Sequence, residues 1–405
     1  MFRRLLALGI AGLLVFTAFA ALAETTAAPQ TGDTDTEIAE ADTAPDTADT
    51  SDTAEAEAEG VVIEDDVADD GMAEIVGEAD RVPPIIEGLT PLYTTKIKFL
   101  TSSGYTATIR ADQDQDSEIL GYVNKNDEIT IYQVYPAYVL AEHEGVAGFI
   151  LRTCISEDMT VLDPVNTPPY GVTMNKYVAT LTEKTYVYVD PDTNSDTFSI
   201  QPGAGSPVAI LDFVDGFAKV LYWRSYGYID ASLLTDLVVV SQTDVPMSAE
   251  TPIAAFSSFF AYGTDSTLND GRVKNIVRSC ESMTRVMEPG ESLNFNEQVG
   301  PYKKDNGYFQ APVLINGEAV PGYGGGTCQS SSTLYNAVRQ LPGVTIVYRR
   351  PHGPACARYL PMHQDAAVGS DTLNFIFRND YDFPIRILAE STGEGVLTIQ
   401  VFKAE

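Results

Sequence analysis

The chain has 405 residues and a formal net charge of −32, set by 57 acidic against 25 basic side chains. That surface argues against nucleic acid as a partner. The stretch from residue 81 onward is long enough to bury ordinary cores without disulfide staples.

Residues 1–23 read as an export signal. Arg3 and Arg4 form a basic start, Leu5 to Ala20 supply an apolar run, and Ala21-Leu22-Ala23 is a cleavage signal before Glu24. An uncleaved signal anchor is the alternative and the only membrane attachment expected, since no later apolar run approaches the roughly 18 residues of a span. Residues 24–90 read as a disordered acidic linker. Glu24 to Asp80 holds 20 acids and no Lys or Arg, and such a segment cannot bury enough apolar surface to offset its chain entropy. The signal predicts a secreted, extracytoplasmic protein.

Residues 95–157 carry short alternating runs separated by turn signals, the pattern of a small barrel: Thr106 to Arg110, Ile119 to Val123, Glu128 to Tyr132, Val139 to Ala141 and Gly148 to Leu151. Residues 176–236 repeat the layout, with Tyr186 to Val189, Val208 to Leu211, Phe217 to Val220 and Trp223 to Ile229 as strands. The segments ATIRADQDQDSEILGYVNKNDEITI and GVAGFI in the first, and DGFAKV and YGYID in the second, resemble bacterial SH3-like (SH3b) domains. That resemblance implies targeting to peptidoglycan or another cell-wall polymer. Tyr105, Tyr132, Tyr135, Tyr138, Tyr222, Trp223 and Tyr226 are candidates for stacking on sugar or peptide, or for filling the barrel cores.

Residues 252–405 change character. A helix is expected from an N-cap at Asn269 or Asp270 to about Met287, with Ile276, Val277, Cys280, Met283 and Met287 on its apolar stripe. Strands are expected at Ser292 to Phe295, Val313 to Ile315, Val344 to Tyr348, Cys356 to Leu360, Leu373 to Asn379, Ile385 to Glu390 and Val396 to Phe402. Between them lies GYGGGTCQSSSTLYNAVRQL. Gly324, Gly325 and Gly326 lead to Thr327, the expected N-cap, and to Cys328. At about 100° per residue Leu334, Ala337, Val338 and Leu341 share one helix face. Cys328, Ser331, Ser332 and Tyr335 share the opposite face, so the cysteine looks away from the core. The N–H groups and dipole of a helix start stabilise a thiolate; the same loop could cradle an anion.

The pieces RVKNIVRSCESMTRVMEPGESLNFNEQVGPY, GYFQAPVLINGEAVPGYGGGTCQSSSTLYNAV, YRRPHGPACARYLPMHQDAAV and DTLNFIFRNDYDFPIRILA resemble the VanW family in order, from about Phe256 to Phe402. The family takes its name from an accessory gene of vancomycin-resistance clusters and recurs in exported cell-envelope proteins; the resemblance supplies no activity. Its members usually read Val before the cysteine and Gln-Val-Ser-Thr-Thr after it, where this chain has Thr327 and Gln329-Ser330-Ser331-Ser332-Thr333. The fold class expected is multidomain: two small all-β SH3-like barrels, then an α+β domain with helices on a mainly antiparallel sheet.

Three readings of the C-terminal domain stand together. In the first, it binds wall material while the SH3b-like modules hold peptidoglycan; Gly324, Gly325, Gly326, Thr327, Tyr335, Arg349 and Arg350 would line that site. In the second, it is a cysteine-dependent acyl transferase or hydrolase on wall peptide. Cys328 is then the nucleophile, His352 takes its proton, Asp365 or Asn374 orients the ring, and Gln329 or the Cys328 N–H stabilises the oxyanion. The order of cysteine, histidine and acid is similar to transglutaminase and papain-like cores. In the third, Cys328 is bridged to Cys280 or Cys356. No C-x-x-C or H-x-x-x-H pair exists, so no metal is expected, and no cofactor.

Overall fold

The computed structural model describes residues 85–98, 107–164, 167–315, 318–352 and 357–405. The signal segment, most of the acidic linker, Tyr105 and Cys356 lie outside them. The described residues are mostly strand, with few helices and several antiparallel sheets.

The first module contains β1 (Tyr93–Lys96), β2 (Ala107–Arg110), β3 (Ile119–Val123), β4 (Glu128–Val134), β5 (Tyr138–His143), β6 (Val146–Leu151) and β7 (Thr160–Val161). These form one antiparallel sheet in the order β3-β2-β6-β5-β4-β1-β7. Period-2 patterning sets its faces: Ala107 and Ile109 point inward, to a core with Val123, Ile129, Ile131 and Ile150. Among the described residues no ladder joins β3 to β7, so the sheet is open and a closed barrel does not form. The β5–β6 hairpin turns through Glu144 (φ 49°) and Gly145 (φ 84°), the left-handed pair that matches strand twist.

The second module contains β8 (Tyr177–Leu181), β9 (Pro207–Ile210), β10 (Asp212–Val214), β11 (Phe217–Tyr222), β12 (Ser225–Asp230) and β13 (Leu234–Val239). They form two three-stranded sheets, β10-β11-β12 and β13-β8-β9. The β10–β11 turn repeats the first module's geometry at Asp215 (φ 49°) and Gly216 (φ 84°). The strand expected at Tyr186 to Val189 does not form; Tyr188 makes isolated bridges to Thr197 and Tyr228. Tyr138 and Tyr222 are buried core residues, and Trp223 donates its indole N–H to the Phe259 carbonyl at 3.0 Å. Those three are packing groups.

The C-terminal region is built on β14 (Ala254–Phe259), β22 (Val396–Lys403), β21 (Ile385–Glu390) and β15 (Arg285–Met287), paired in that order. A second sheet orders β16 (Ser292–Asn294), β20 (Phe375–Asn379) and β19 (Val344–Arg349), and β17 (Gln310–Ile315) pairs with β18 (Glu318–Tyr323). Helix α1 (Thr267–Met283) starts one turn before the expected cap, because the Ser266 hydroxyl accepts the Asn269 N–H. It ends at Met283, and Met287 belongs to β15. A short α2 (Phe295–Val299) follows β16, so Phe295 is helical. Residues 357–360 make a turn where a strand was expected. Strand β22 is buried on both faces: one lies under α3 (Thr327–Val338), the other against the second module, while α1 packs on the neighbouring β21. Phe259 and Val396 sit in the same apolar cluster as Val208, Val220 and Tyr222, so the two regions share a core.

Helix α3 corrects the expected cap. Gly326 is the N-cap, at φ 105°, and Thr327 is the first helical residue, its hydroxyl donating to the Gly324 carbonyl at 2.8 Å. The left-handed Gly326 is accessible to glycine at little cost. Gly325 is needed for closeness: a Cβ there would lie 2.4 Å from the Pro312 carbonyl oxygen and 2.9 Å from the Ala311 Cβ. The glycine run thus lets β17 and β18 press against the helix start. Gly325→Ala should destabilise the fold by about 1–3 kcal/mol, read as a lower urea midpoint with unchanged slope.

Candidate functional site

Helix α3 is buried all round. Gln329, Ser330, Ser331, Ser332, Thr333 and Asn336 are each no more than 1% exposed, although Ser331 and Ser332 were expected on a face turned away from the core. A buried polar face needs partners, and residues 360–368 provide them. Ser331 donates to the Ala366 carbonyl at 2.6 Å, Asn336 to the Gln364 carbonyl at 2.6 Å, and the Ala366 N–H donates back to the Ser332 hydroxyl at 2.9 Å. On the other side Thr333 bonds Ser258 at 2.7 Å. The segment that covers the helix carries Asp365, fully buried.

Asp365 reaches His352. Its Oδ2 lies 2.6 Å from His352 Nδ1 and accepts the His352 backbone N–H at 2.7 Å. Its Oδ1 faces Arg349 Nη2 at 3.7 Å. Burial alone would raise the Asp365 carboxyl, but the two His352 hydrogen bonds and the His352 and Arg349 charges hold it below its ordinary value. The Cys328 thiol interacts with the same ring, by hydrogen bond and by charge. Burial opposes charge on this ring; hydrogen bonds to Asp365 and then Cys328, with their charges, outweigh it and push the pKa up to about 10.

Cys328 is a half-buried free thiol, and Cys154 and Cys280 are free as well, so Cys328 is in no bridge. Its sulfur accepts from the Val368 N–H and donates to the Val368 carbonyl, each at 3.4 Å. Cys280 is buried against the Ile276 carbonyl, and burial pushes its thiol up to about 12. It is a core residue.

The other expected site residues separate by role. Gln329 is committed: its amide donates to the Ser258 hydroxyl at 3.0 Å and the Phe259 carbonyl at 3.1 Å, and accepts from Arg272. It has no donor left for an oxyanion. Asn374 donates to the Asn294 side chain at 2.8 Å and accepts from Asn296, leaving Asp365 as the partner of His352. Arg349 turns inward, donating to the Asp365 and His363 carbonyls at 2.8 and 2.7 Å, while Arg350 is exposed. Tyr335 is 7% exposed and packs edge-on against Phe375.

Sequence reasoning missed three groups around the sulfur. Tyr359 and Tyr302 have hydroxyl pKa values raised first by burial; a thiolate charge at Cys328 raises both further. Arg272 is also within electrostatic reach of Cys328, its guanidinium lowered mainly by burial. The Tyr359 hydroxyl is buried without a well-formed hydrogen-bond partner. Arg272 and Tyr302 lie 56 and 26 residues from the cysteine, Tyr359 31 residues; no local pattern links them. Among the described residues no cluster of His, Cys, Asp or Glu could hold a metal.

Residues 271–402 match the family described as "VanW like protein", which spans α1 through β22 and contains Cys328, His352 and Asp365. The C-terminal domain is VanW-like. The chain is also 29% identical over 260 residues to "Uncharacterized protein YoaR" of Bacillus subtilis (strain 168), covering 64% of this chain and 83% of YoaR. Among solved structures, "Endolysin LysPBC5 CBD" aligns at 9% identity over 36% of this chain and 93% of its own, with a TM-score of 0.17. An NlpC/P60 family protein from Bacillus cereus ATCC 10987 aligns at 12% identity over 38% of this chain and 59% of its own, with a TM-score of 0.14. Scores this low establish no shared fold with the VanW-like domain or the β modules.

The raised His352 pKa fixes the sign of a pH effect. Its stabilising contacts are fully present below about pH 6.5, the ordinary value, and are lost as pH rises through about 10. The melting temperature of the wild type should therefore fall more between pH 8 and pH 10.5 than that of His352→Gln, and the His352 ring resonances should titrate near pH 10.

Proposed function

We propose that the VanW-like domain is a thiol acyl transferase or hydrolase acting on cell-wall peptide, with Cys328, His352 and Asp365 as its catalytic set. The observation that carries this reading is the buried Asp365 carboxylate 2.6 Å from the His352 ring, with the free Cys328 thiol within reach of that ring. A purely binding role gives no reason to bury an acid behind a histidine that faces a free thiol.

The roles follow from the geometry. Cys328 sulfur attacks an amide carbonyl carbon while His352 holds the proton the thiol gives up. The C–N bond breaks, the His352 proton passes to the leaving amine, and a thioester remains on Cys328. Water or a second amine then attacks, delivering its proton to His352 and freeing the sulfur. Asp365 keeps Nδ1 engaged and stabilises the ring's charge. The Cys328 N–H at the start of α3 and the Tyr359 hydroxyl are the donors we assign to the oxyanion, in place of Gln329.

Export and wall association complete the reading. They are supported by the basic start, apolar run and A-x-A site of residues 1–23, by the repeated β modules, and by the VanW-like family. The modules would hold the chain on peptidoglycan while the VanW-like domain works there.

Incubation with a muropeptide digest should leave a mass increment on Cys328 in the wild type. Cys328→Ala should abolish both adduct and turnover, and His352→Ala should slow acylation by about 10²–10⁴-fold. Full turnover by Cys328→Ala would remove the proposal. The purified chain should also co-sediment with isolated sacculi; recovery no greater than that of an unrelated acidic protein would remove the targeting role.

A further inference from the structure

A cavity of about 290 Å³ lies where the first module and the segment after it meet the VanW-like domain. Cys328, His352 and Asp365 are not in its lining, though Arg349, which contacts Asp365, is. Its charged lining is unbalanced: Arg152, Arg339, Arg349 and His363 face a single carboxylate, Glu157. That carboxylate is engaged with His363 at 2.7 Å and lies 4.0 Å from Arg349. The His363 hydrogen bond, followed by its charge and those of Arg349 and Lys98, holds Glu157 below its ordinary value against the effect of burial.

Two guanidiniums have no acid of their own. Arg152 is 1% exposed, and its donors go to neutral oxygens: the Tyr135 carbonyl at 3.0 Å, the Tyr170 hydroxyl at 3.1 Å and the Met362 carbonyl at 3.3 Å. Arg339 donates Nη2 to the Tyr170 carbonyl at 3.0 Å, while its buried Nη1 has no hydrogen-bond partner. Among the described residues, the ion pairs of this lining are those of Arg349 and His363, and none involves Arg152 or Arg339. Buried charge is costly unless it is paired and hydrogen-bonded. A chain with a net charge of −32 has ample carboxylates for this duty, yet none forms an ion pair with Arg152 or Arg339 among the described residues.

The two cations nearest the open volume are held in one orientation. The guanidinium carbons of Arg339 and Arg349 lie 4.8 and 5.0 Å from the centroid of the Tyr335 ring. Stacking on an aromatic face fixes the planar fork that suits an oxyanion.

We infer that this cavity is a binding site for a small oxyanion ligand, a carboxylate or a phosphate, whose charge completes the Arg152–Arg339–Arg349 cluster. The anion would meet the Arg339 guanidinium and the outer edge of Arg349, with Tyr335 and Tyr170 flanking its organic part. The site needs no acylation chemistry and stands whether or not Cys328 is catalytic. Two sources share this chemistry in a cell wall: the carboxylate of a stem peptide and the phosphate of a polyol-phosphate polymer.

Isothermal titration calorimetry of the purified chain at low salt separates the sources. The probes are acetate and D-alanyl-D-alanine for the carboxylate, and inorganic phosphate and glycerol 3-phosphate for the phosphate. One class should give saturable one-to-one binding, weakened about tenfold or more in Arg339→Gln and unchanged in the exposed Arg378→Gln. Val161→Phe, which narrows the cavity from its other wall, should weaken binding likewise and keeps the test usable where Arg339→Gln fails to fold. No saturable heat from any probe up to about 10 mM, or binding that survives both cavity substitutions, overturns the inference.

Discussion

The structure depends on one constraint: the polar side of α3 is buried, and every group on it needs a hydrogen-bond partner. Ser331, Ser332 and Asn336 bond carbonyls of their own helix, and each also bonds backbone brought from elsewhere, that of residues 364–366. That requirement pins a segment with no regular secondary structure across the helix. Asp365 sits in the middle of the pinned segment, and His352 is drawn to it by both its ring and its own N–H. The position of the proposed base is therefore a consequence of how a serine-rich helix is packed. Changes that leave one of these helix groups unpaired should cost about 1–3 kcal/mol each and should disturb the site as much as the fold.

The β modules enter the same structure at two different depths. The second shares apolar residues with the VanW-like domain, through Phe259 and Val396, and the Thr398 hydroxyl donates to the Pro207 carbonyl at 2.5 Å. The first meets it through charge and backbone polar groups, chiefly Arg152 to Met362 and Glu157 to His363. An apolar seam buries area that must stay dry, whereas a polar seam tolerates water and guests. The unbalanced arginines lie in the second kind of seam.

Much of the site was legible in the sequence, and the reason is local. A glycine run feeding a helix start locates Cys328, and the scarcity of histidine leaves few partners for it. His352 follows from that, with Asp365 and Asn374 both open as the group that orients it. Strands at Ile385 to Glu390 and Val396 to Phe402 were legible too, because they keep their patterns, whereas β14, β15 and β18 were not. What failed needed three-dimensional information. The period of α3 identifies its apolar stripe correctly, but a helix rich in Ser and Thr can be buried on its polar side as well once another segment bonds to it. Gln329 looked available as a donor because its partners, Ser258 and Phe259, are some 70 residues away. Thr327 has the composition of an N-cap, yet Gly326 takes that position because the approach demands a left-handed residue. Tyr186 to Val189 alternates like a strand, but only Tyr188 finds a neighbour to pair with.

Strand β14 waits for its partner. Ser257 bonds Thr398, and the two are 141 residues apart, so a ribosome adding about 5–20 residues per second needs roughly 7–28 s to bridge them. Until then β14 has an open hydrogen-bonding edge along six buried-type residues, with only β9, β11 and α3 packed on it. Pairing over such a separation also makes for slow closure once both strands exist. A chain with this topology keeps that edge open until its last strand is made, which exposes it to self-association in the interval.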